Sequence, residues 1–352
     1  MKHTFYLLLL LFLLPCFACG EDDWIKELSN ESLLRSTTID AGKTHIAFPT
    51  IVGNEDNSKI LVAYREGSAH ISYDSELVQM ESSDKGVTWT NRKVIYTPEE
   101  GCDVRDPQYF RLTNGDIICR FFVKMSESEA VVKCIKSTDD GKTYSEAVDM
   151  PAPKSEVFAA SRGNMVMVDD IIYSINRNRW SVAWIVTSKD NGESWQYASW
   201  LDERLWTNQL DCDRINETSL GYVNGTLYAV GRQAPIYSDG DERLEVGVSE
   251  DMGENWEWKH LSVWGHAPSL TSYGDSFILT YRDTEDESKG KYSFNIGLMR
   301  NGALVKTPVA LFESSTRDIG YGDVLTLENS FLVCCYQPNK ILCYELSYDL
   351  FD

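Results

Sequence analysis

One nine-residue pattern occurs four times in this chain and restricts the folds open to it. Each copy places Ser, Asp, Gly and an aromatic residue at the same offsets, and successive copies begin roughly 50 to 60 residues apart. A period of that size is typical of repeat arrays and propellers. We call the copies the boxes; they read SSDKGVTWT (82–90), STDDGKTYS (137–145), SKDNGESWQ (188–196) and SEDMGENWE (249–257).

The chemistry of a box suits a tight turn. We expect the Asp side chain to accept hydrogen bonds from nearby backbone N–H groups and the Gly to adopt a positive φ. We expect the aromatic side chain to pack back against its own repeat. The boxes are therefore interpreted as structural elements and not as the active site.

Short apolar runs between the boxes predict β-strands. Six such runs each follow a turn signal: KILVAYRE, DIICRFFVK, DIIYSINRN, TLYAVGRQ, SFILTYRD and SFLVCCYQ. Ten Trp and eighteen Tyr also favour β structure, where aromatic side chains fit best. The sequence therefore predicts an all-β fold of six repeats, with each box between the third and fourth strands of its repeat.

The periodic boxes resemble the Asp boxes, or BNR repeats, of the sialidase (neuraminidase) superfamily. The resemblance covers roughly residues 43–350 and implies a six-bladed β-propeller over 43–352. Residues 25–42 are expected to add a strand to the last blade and so remove its open edge. The implied blades are 43–96, 104–150, 162–202, 213–263, 266–313 and 318–350.

The first twenty residues, MKHTFYLLLLLFLLPCFACG, predict an export signal. Lys2 precedes an apolar run that is too short to span a bilayer as a helix. Cys19 lies where bacterial lipoproteins are processed and lipidated, and this similarity implies a signal peptide over 1–18. Residues 19–42 would then form the lipid anchor, tether and closing strand. The expected location is the outer membrane, facing the cell surface or the periplasm.

The net charge of −21 argues against a nucleic-acid partner, because a phosphate backbone must be met by Lys and Arg. The seven Cys residues that follow Cys19 form no CxxC pair, and the five His residues form no recognised metal motif. We expect no metal, no cofactor and a monomer. The resemblance implies a glycan as the partner.

Charged residues recur at the predicted mouth of the propeller. Arginines end several second strands, namely Arg65, Arg177 or Arg179, Arg232 and Arg282. A guanidinium cluster suits a carboxylate, which it can bind in bidentate fashion. One triplet per repeat is expected just before the first strand: AFP (47–49), RDP (105–107), SRG (161–163), NET (216–218), HAP (266–268) and GYG (320–322).

The resemblance also implies residue roles. Sialidases use a Tyr nucleophile, activated by a Glu, and hold the sugar carboxylate with three arginines. The segment 216–232 is similar to the family segment with the activating Glu and one of these arginines, here Glu217 and Arg232. The segment 318–336 makes Tyr321 the implied nucleophile. Arg282 is the candidate for another carboxylate ligand, with Lys289 or Lys291 as alternatives.

Two departures from the family pattern bear on specificity. Ala47 stands where the family has its first carboxylate-binding arginine, and His70 stands where it has an Asp acid/base. His70 is predicted to take over proton transfer, since histidine is the side chain that ordinarily exchanges protons near neutral pH. Other candidates for that role are Glu66, Asp74 and Asp106, and Arg65, Arg105 and Asp106 are further candidates for substrate binding.

Three hypotheses for function follow from these residues. The first is an exo-glycosidase that hydrolyses a terminal, acidic, sialic-acid-like sugar from surface glycans. The second is a glycan-capturing lipoprotein without activity, which the departures favour. The third is a different glycosidase or a polysaccharide lyase that uses His or Tyr to remove a proton beside a uronate carboxylate.

Overall fold

The structure is a computed structural model that describes residues 25–27, 31–42, 44–154, 156–202, 214–234 and 243–352. Within these ranges the chain forms 25 strands and two short 3₁₀ helices, Glu287–Lys289 and Tyr348–Phe351. No helix in the described part is long and apolar enough to cross a membrane. The predicted signal peptide and Cys19 lie outside the described residues.

Four antiparallel sheets contain four strands each, in which neighbours along the chain are neighbours in the sheet. The first is β3 (His45–Gly53), β4 (Ile60–Gly67), β5 (Glu76–Ser82) and β6 (Thr90–Tyr96). The second is β7 (Asp103–Arg111), β8 (Ile117–Lys124), β9 (Ala130–Ser137) and β10 (Val148–Met150). The third is β11 (Val166–Val168), β12 (Ile171–Arg177), β13 (Ala183–Ser188) and β14 (Gln196–Trp200). The last is β23 (Gly320–Thr326), β24 (Ser330–Gln337), β25 (Lys340–Ser347) and β2 (Leu33–Ala41), which pairs with β25 from the N-terminal side of the chain.

A fifth sheet has nine strands and spans two of the predicted repeats. The 17-residue strand β18 (Glu257–Tyr273) pairs with one group through its first half and with the next group through its second half. Two repeats expected to be separate are therefore one continuous sheet. The first group is β15 (Arg214–Val223), β16 (Thr226–Ala234) and β17 (Arg243–Ser249); the second is β19 (Ser276–Asp283), β20 (Tyr292–Arg300), β21 (Ala303–Leu304), β22 (Val309–Ser314) and β1 (Ile25–Glu27).

Each box forms the turn that its sequence predicts, directly after the third strand of its group. In the first box the Oγ of Ser82 accepts from Gly86 N at 2.8 Å, and Asp84 Oδ1 accepts from Thr88 N at 2.9 Å. The Ser–Gly bond has the same 2.8 Å length in the other three boxes. The box glycines have φ between 77° and 92°, a region that glycine enters without steric cost.

The box aromatics bind the preceding sheet as well as their own. Tyr144, in the second sheet, donates from its Oη to Gln79 Oε1 of the first sheet at 2.6 Å. Trp195, in the third sheet, donates from Nε1 to Cys134 Sγ of the second at 3.1 Å. The boxes therefore join neighbouring sheets, which goes beyond the expected packing within one repeat.

A buried carboxylate joins the first strands of four groups. Asp323 in β23 accepts from Thr50 Oγ1 of β3 at 2.8 Å and from Gln108 Nε2 of β7 at 3.0 Å. Its other oxygen accepts from Ser269 Oγ of β18 at 3.3 Å. The first strands therefore meet at a common centre, and the apolar clusters fill the spaces between adjacent sheets, as with Ile51 and Leu332.

Five first strands within the described ranges carry the same irregularity, close to the predicted triplets. In β3, β7, β15, β18 and β23 two residues oppose one residue of the second strand, which defines a β-bulge. Five of the six predicted triplets lie in these bulges, inside the strands and not before them, whereas SRG (161–163) precedes β11 as expected. In each bulge the middle triplet residue has a φ of 46° to 60°: Phe48, Asp106, Glu217, Ala267 and Tyr321.

We predict that Ser249→Ala lowers the free energy of unfolding by about 1–2 kcal/mol. The buried Ser249 hydroxyl accepts from Gly253 N and donates to Asp251, and the substitution leaves both groups without that partner. Urea unfolding at constant m-value measures the change. Ser262→Ala, at an exposed position in the neighbouring β18, is the control and should change stability by less than about 0.5 kcal/mol. Equal losses in both variants would contradict a stabilising role of the box.

Candidate active site

A pocket of about 380 Å³ opens at the bulged ends of the first strands. Depressions of about 560 and 800 Å³ also occur, but they lie at the box turns, away from these ends. In the described part of the chain, half of the residues that line the pocket are arginines. The pocket therefore favours an anionic group, although the chain carries a net charge of −21. The lining residues are His70, Arg232, Arg282, Arg317, Asp318 and Tyr321.

Tyr321 and Glu217 form a hydrogen-bonded pair at the base of this pocket. The phenol Oη donates to Glu217 Oε1 at 2.7 Å, and the residues are 8% and 7% exposed. Both lie at bulge positions with a positive φ, so the backbone turns their side chains towards the centre. The second carboxylate oxygen of Glu217 accepts from Ala267 N at 3.0 Å and lies 3.8 Å from Arg232 Nη1.

The surroundings keep Glu217 ionised. Burial by itself would raise its pKa, but the charges of Arg232 and His266 and the hydrogen bond from Tyr321 outweigh burial. Together they lower the pKa of Glu217 from 4.5 to about 2. Glu217 is therefore an ionised hydrogen-bond acceptor for the phenol in the resting site.

The Tyr321 phenol is neutral in the resting site. Burial and then the Glu217 charge raise the pKa of Tyr321 well above 10.0. The guanidinium groups of Arg162 and Arg282 lie 5.3 and 5.0 Å from the centre of its ring. Cations at this distance stabilise negative charge as it develops on the ring. The ring thus needs a base in order to react, and Glu217 is in contact with its proton.

Arg282 is held by several partners. It lies 2.7 Å from His266 Nδ1 through Nη2 and donates to the Arg317 carbonyl at 2.7 Å through Nη1. These contacts fix the guanidinium beside Tyr321. They also tie β19 to the segment before β23, which carries two lining residues of the pocket.

Arg65 lies beneath the pocket and does not line it. Its side chain is 0% exposed and its Nε donates to Asp103 Oδ1 at 2.9 Å. Its Nη1 donates to the Ala69 carbonyl at 2.9 Å, so it holds the loop that follows β4. The placement indicates a structural role and does not match the predicted role in substrate binding.

Arg105 lies near the position where a carboxylate-binding arginine was expected from the family pattern. Its guanidinium is 5.0 Å from the ring centre of Phe48, the residue after Ala47. Nη1 contacts Asp103 at 3.2 Å, and burial of the arginine is outweighed by the charges of Asp106 and Asp103, which raise its pKa. A cation therefore occupies this side of the site although Ala47 carries none.

Asp106 is a second buried carboxyl group at a bulge position. Burial raises its pKa, although the charges of Arg105 and Arg162 oppose the shift. Within the part of the chain that is described, its Oδ1 has no hydrogen-bond partner. The site therefore contains one carboxyl group with a raised pKa and one, Glu217, with a lowered pKa, a division typical of acid and base pairs.

His70 lies at the mouth of the pocket, bound to Asp318. Its Nδ1 is 3.0 Å from Asp318 Oδ1, and His45 Nε2 is 2.9 Å from Asp318 Oδ2. These three ligand atoms lie within 4.8 Å of one another, as metal ligands can. The remaining ring nitrogen of His70, however, lies 3.3 Å from Arg105 Nη2, and that of His45 lies 3.3 Å from Arg65 Nη1. A metal-bound His normally donates its second N–H to an acceptor, and arginine offers only donors, so the set fits a hydrogen-bonded relay better than a metal centre.

The other sequence candidates lie elsewhere. Glu66 binds Thr44 and Arg92, and Asp74 accepts from Ser68 in the loop after β4. Lys289 pairs with Asp286 and Lys291 with Glu313, and neither lysine lines the pocket. The structure adds residues that the sequence analysis did not single out: His45, Arg317, Asp318 and Tyr336. The position of Asp318, three residues before Tyr321, was the available signal.

Comparison with known proteins is informative at the level of structure. No protein-family model matches the sequence, and no curated protein matches it. A Dyadobacter fermentans protein of unknown function is similar over 92% of this chain and 99% of its own, with a TM-score of 0.73 and 20% identity. NanB sialidase from Streptococcus pneumoniae (K499G mutant) is similar over 92% and 72%, with a TM-score of 0.64 and 11% identity.

An α-L-arabinofuranosidase from Fusarium graminearum, Arb93A, is similar over 90% of this chain and 99% of its own, with a TM-score of 0.61 and 13% identity. The phage phi92 endosialidase is similar over 93% and 69%, with a TM-score of 0.61 and 10% identity. At these identities the likeness concerns the fold. The chain therefore has the fold of the β-propeller glycosidases, of a sialidase-like type.

Proposed function

We propose that this chain is a glycoside hydrolase that removes a terminal, carboxylate-bearing sugar of the sialic-acid type from glycans. The observation that carries the proposal is the 2.7 Å bond between Tyr321 Oη and the ionised Glu217 in a pocket lined by arginines. Structural neighbours that are named as sialidases and as an arabinofuranosidase support a glycan substrate.

In the proposed reaction Tyr321 Oη attacks the anomeric carbon while Glu217 takes the phenol proton. The bond from the anomeric carbon to the leaving oxygen breaks, and that oxygen receives a proton from the acid residue. Water then attacks the anomeric carbon and breaks its bond to Tyr321 Oη. The residue that served as the acid in the first step takes a proton from this water. Glu217 returns its proton to the phenolate, which restores the starting state.

We assign proton transfer to His70, because it lines the mouth where a leaving group would exit. Asp106 is the alternative, since it is buried near the same centre with a raised pKa. Arg232, Arg317 and Arg282 would attract the sugar carboxylate, and Arg105 would replace the arginine that is missing at Ala47. Arg65 is left out of the ligand set because it is wholly buried.

The finer description of the fold and its location is also our proposal. We count β18 in two groups, which gives six blades; the fifth contains the short strands β21 and β1 in addition to β18, β19, β20 and β22. The sequence of residues 1–20 supports a lipid anchor on Cys19 and export to the outer membrane, where terminal sugars of external glycans would be accessible. We propose that the anchored protein acts as a monomer.

A lyase is the second candidate, and one observation favours it. Arg105 Nη2 lies 3.3 Å from His70 Nε2, and this contact favours an unprotonated Nε2 that could act as a base. A base beside an arginine cluster suits proton removal next to a uronate carboxylate, followed by elimination of the neighbouring sugar. Such a product contains a new C=C bond that absorbs in the ultraviolet, whereas a hydrolysis product does not.

Both members of the Tyr–Glu pair should be required for cleavage. The wild type should release the sugar from a fluorogenic sialoside or a related acidic glycoside, and both Tyr321→Phe and Glu217→Gln should lower kcat/KM by about 1,000-fold or more. Tyr173→Phe and Glu254→Gln, at box-proximal surface positions, are matched controls and should retain activity. Activity that survives loss of the phenol would rule out Tyr321 as nucleophile.

The same panel separates the hypotheses. Cleavage of another glycan, with loss in both variants, would keep the mechanism and change the sugar. An ultraviolet-absorbing product would establish the lyase. Saturable binding without cleavage of any glycan, retained in both variants, would leave a glycan-capture protein, the reading that the loss of an arginine at Ala47 favours.

The second prediction concerns acid stability. Because folding lowers the pKa of Glu217 from 4.5 to about 2, the carboxylate contributes stability above pH 4.5 that is lost as pH falls towards 2. The contribution is on the order of 3 kcal/mol. Glu217→Gln should therefore lose less stability than wild type between pH 5 and pH 3 in urea unfolding. Glu254→Gln should follow the wild type, and parallel curves for all three proteins would contradict the ionised Glu217.

The third prediction concerns the carboxylate. Arg317 lines the pocket with a half-exposed side chain, and Arg317→Gln should raise KM for an acidic sugar about tenfold or more, because a charge-assisted hydrogen bond is lost. The value of kcat should change little. Arg300→Gln, an exposed arginine outside the pocket, is the control. An equal effect on a neutral glycoside would show that Arg317 does not read the carboxylate.

A further inference from the structure

The loop that carries His70 is fixed by hydrogen bonds before any substrate binds. Arg65 donates to the Ala69 carbonyl at 2.9 Å and to Ser72 Oγ at 2.9 Å. Ser68 donates to Asp74 through its N–H and its hydroxyl, both at 3.1 Å. His70 is 48% exposed in its side chain, yet both sides of its loop are held. Its orientation therefore depends on what its two ring nitrogens contact.

One ring nitrogen of His70 faces a donor. Arg105 Nη1 donates to the His70 carbonyl at 2.7 Å, and Arg105 Nη2 lies 3.3 Å from His70 Nε2. Arginine has no acceptor, so this contact is attractive only when Nε2 carries a lone pair. The proton of the neutral ring then lies on Nδ1, which donates to Asp318 Oδ1 at 3.0 Å.

His45 repeats this arrangement on the other oxygen of Asp318. Its Nδ1 faces Arg65 Nη1 at 3.3 Å, so its Nε2 carries the proton and donates to Asp318 Oδ2 at 2.9 Å. Tyr336 Oη adds a third hydrogen bond, to Oδ1, at 2.8 Å. Asp318 thus receives donors from three other chain segments and has a single available orientation.

The same contacts keep Asp318 ionised. Burial opposes ionisation, but hydrogen bonds from His45 and His70 outweigh burial and hold the pKa of Asp318 well below its usual value. An ionised acceptor at Nδ1 holds the imidazole in one tautomer and orientation, as in other carboxylate–histidine pairs.

We propose that Asp318 is a positioning residue that fixes His70 with its proton on Nδ1 and with an unprotonated Nε2 at the mouth of the pocket, beside Arg105, which makes His70 the proton-transfer group of the site. This inference rests on the proposed function for its chemistry. Nε2 takes the proton from the water whose oxygen bonds to the anomeric carbon as the bond to Tyr321 breaks. In the next turnover the protonated Nε2 gives this proton to the leaving oxygen.

Charged groups contact His70 on both sides. Asp318 binds Nδ1 and Arg105 faces Nε2, and His45 binds the second oxygen of the same carboxylate. Asp318→Asn keeps the shape of the side chain but leaves one acceptor oxygen for two histidine donors. The substitution must therefore release or reorient at least one ring.

The first experiment determines the tautomer without any substrate. Nitrogen-15 NMR spectra of the whole chain, assigned with His70→Gln and His45→Gln, should show His70 protonated at Nδ1 and His45 at Nε2 at neutral pH. In Asp318→Asn at least one pattern should change, while Asp286→Asn, an exposed control, should leave both unchanged. An Nε2–H tautomer of His70 in the wild type, or spectra insensitive to Asp318→Asn, would overturn the proposal.

The second experiment tests the chemistry on whichever glycan the wild type cleaves. Asp318→Asn should lower kcat about 100-fold or more and displace the pH profile, with KM changed less, and Asp318→Glu should restore part of the loss. Activity of His70→Ala should increase on addition of imidazole, which an indirect structural role would not produce. If the wild type cleaves no glycan, the proposed function fails, but the NMR result still decides the role of Asp318. If cleavage survives His70→Ala undiminished, the function stands and this inference fails.

Discussion

The site depends on the left-handed backbone at the bulges of the first strands. An ordinary strand alternates its side chains between the two faces of a sheet, so it cannot direct successive residues to the centre of the molecule. A two-for-one bulge breaks this alternation and re-aims one side chain. For residues other than glycine, a positive φ costs on the order of 1–3 kcal/mol. The chain accepts this cost at Asp106, Glu217 and Tyr321, each in a different sheet.

That cost is offset by hydrogen bonds between the strands. Asp323 joins β3, β7, β18 and β23 beneath the bulges, and Ser219 Oγ accepts from the backbone of Asn164 and Leu270. Because these bonds are buried, breaking one would leave a polar group without water or partner. The strands are therefore held at fixed offsets, and the phenol–carboxylate distance follows from the scaffold and not from flexible side chains.

Electrostatics then assigns different states to similar groups. Glu217 and Asp106 are both buried carboxyl groups, yet the pKa of Glu217 is lowered and that of Asp106 is raised. Glu217 has a phenol, a backbone N–H and a nearby guanidinium as partners, whereas Asp106 is dominated by desolvation. Neighbours thus outweigh burial at one position and fail to do so at the other.

The sequence predicts the local features of this structure better than the long-range ones. The boxes and the strand runs follow from turn chemistry and from short apolar runs bounded by turn signals, which act over a few residues. The continuity of β18 could not be read in this way, since residues 257–273 contain both a predicted outer strand and the next triplet. Asp103 binds both Arg65 and Arg105, and only the second contacts His70 at the pocket mouth. The spacing along the chain contains no information on which arginine is the more deeply buried.

Ala47 stands where the family pattern has an arginine, and Arg105 lies on this side of the site instead. An arginine at this position would lie beside Phe48, and the structure instead places the Arg105 guanidinium 5.0 Å from that ring. Arg105 can take this position because its Nη1 is bound by Asp103 and by the His70 carbonyl. The same guanidinium lies 3.3 Å from His70 Nε2. In the mechanism that we propose, this cation on β7 would contact both the sugar carboxylate and the proton-transfer residue, so anion recognition and proton transfer would be coupled through Arg105.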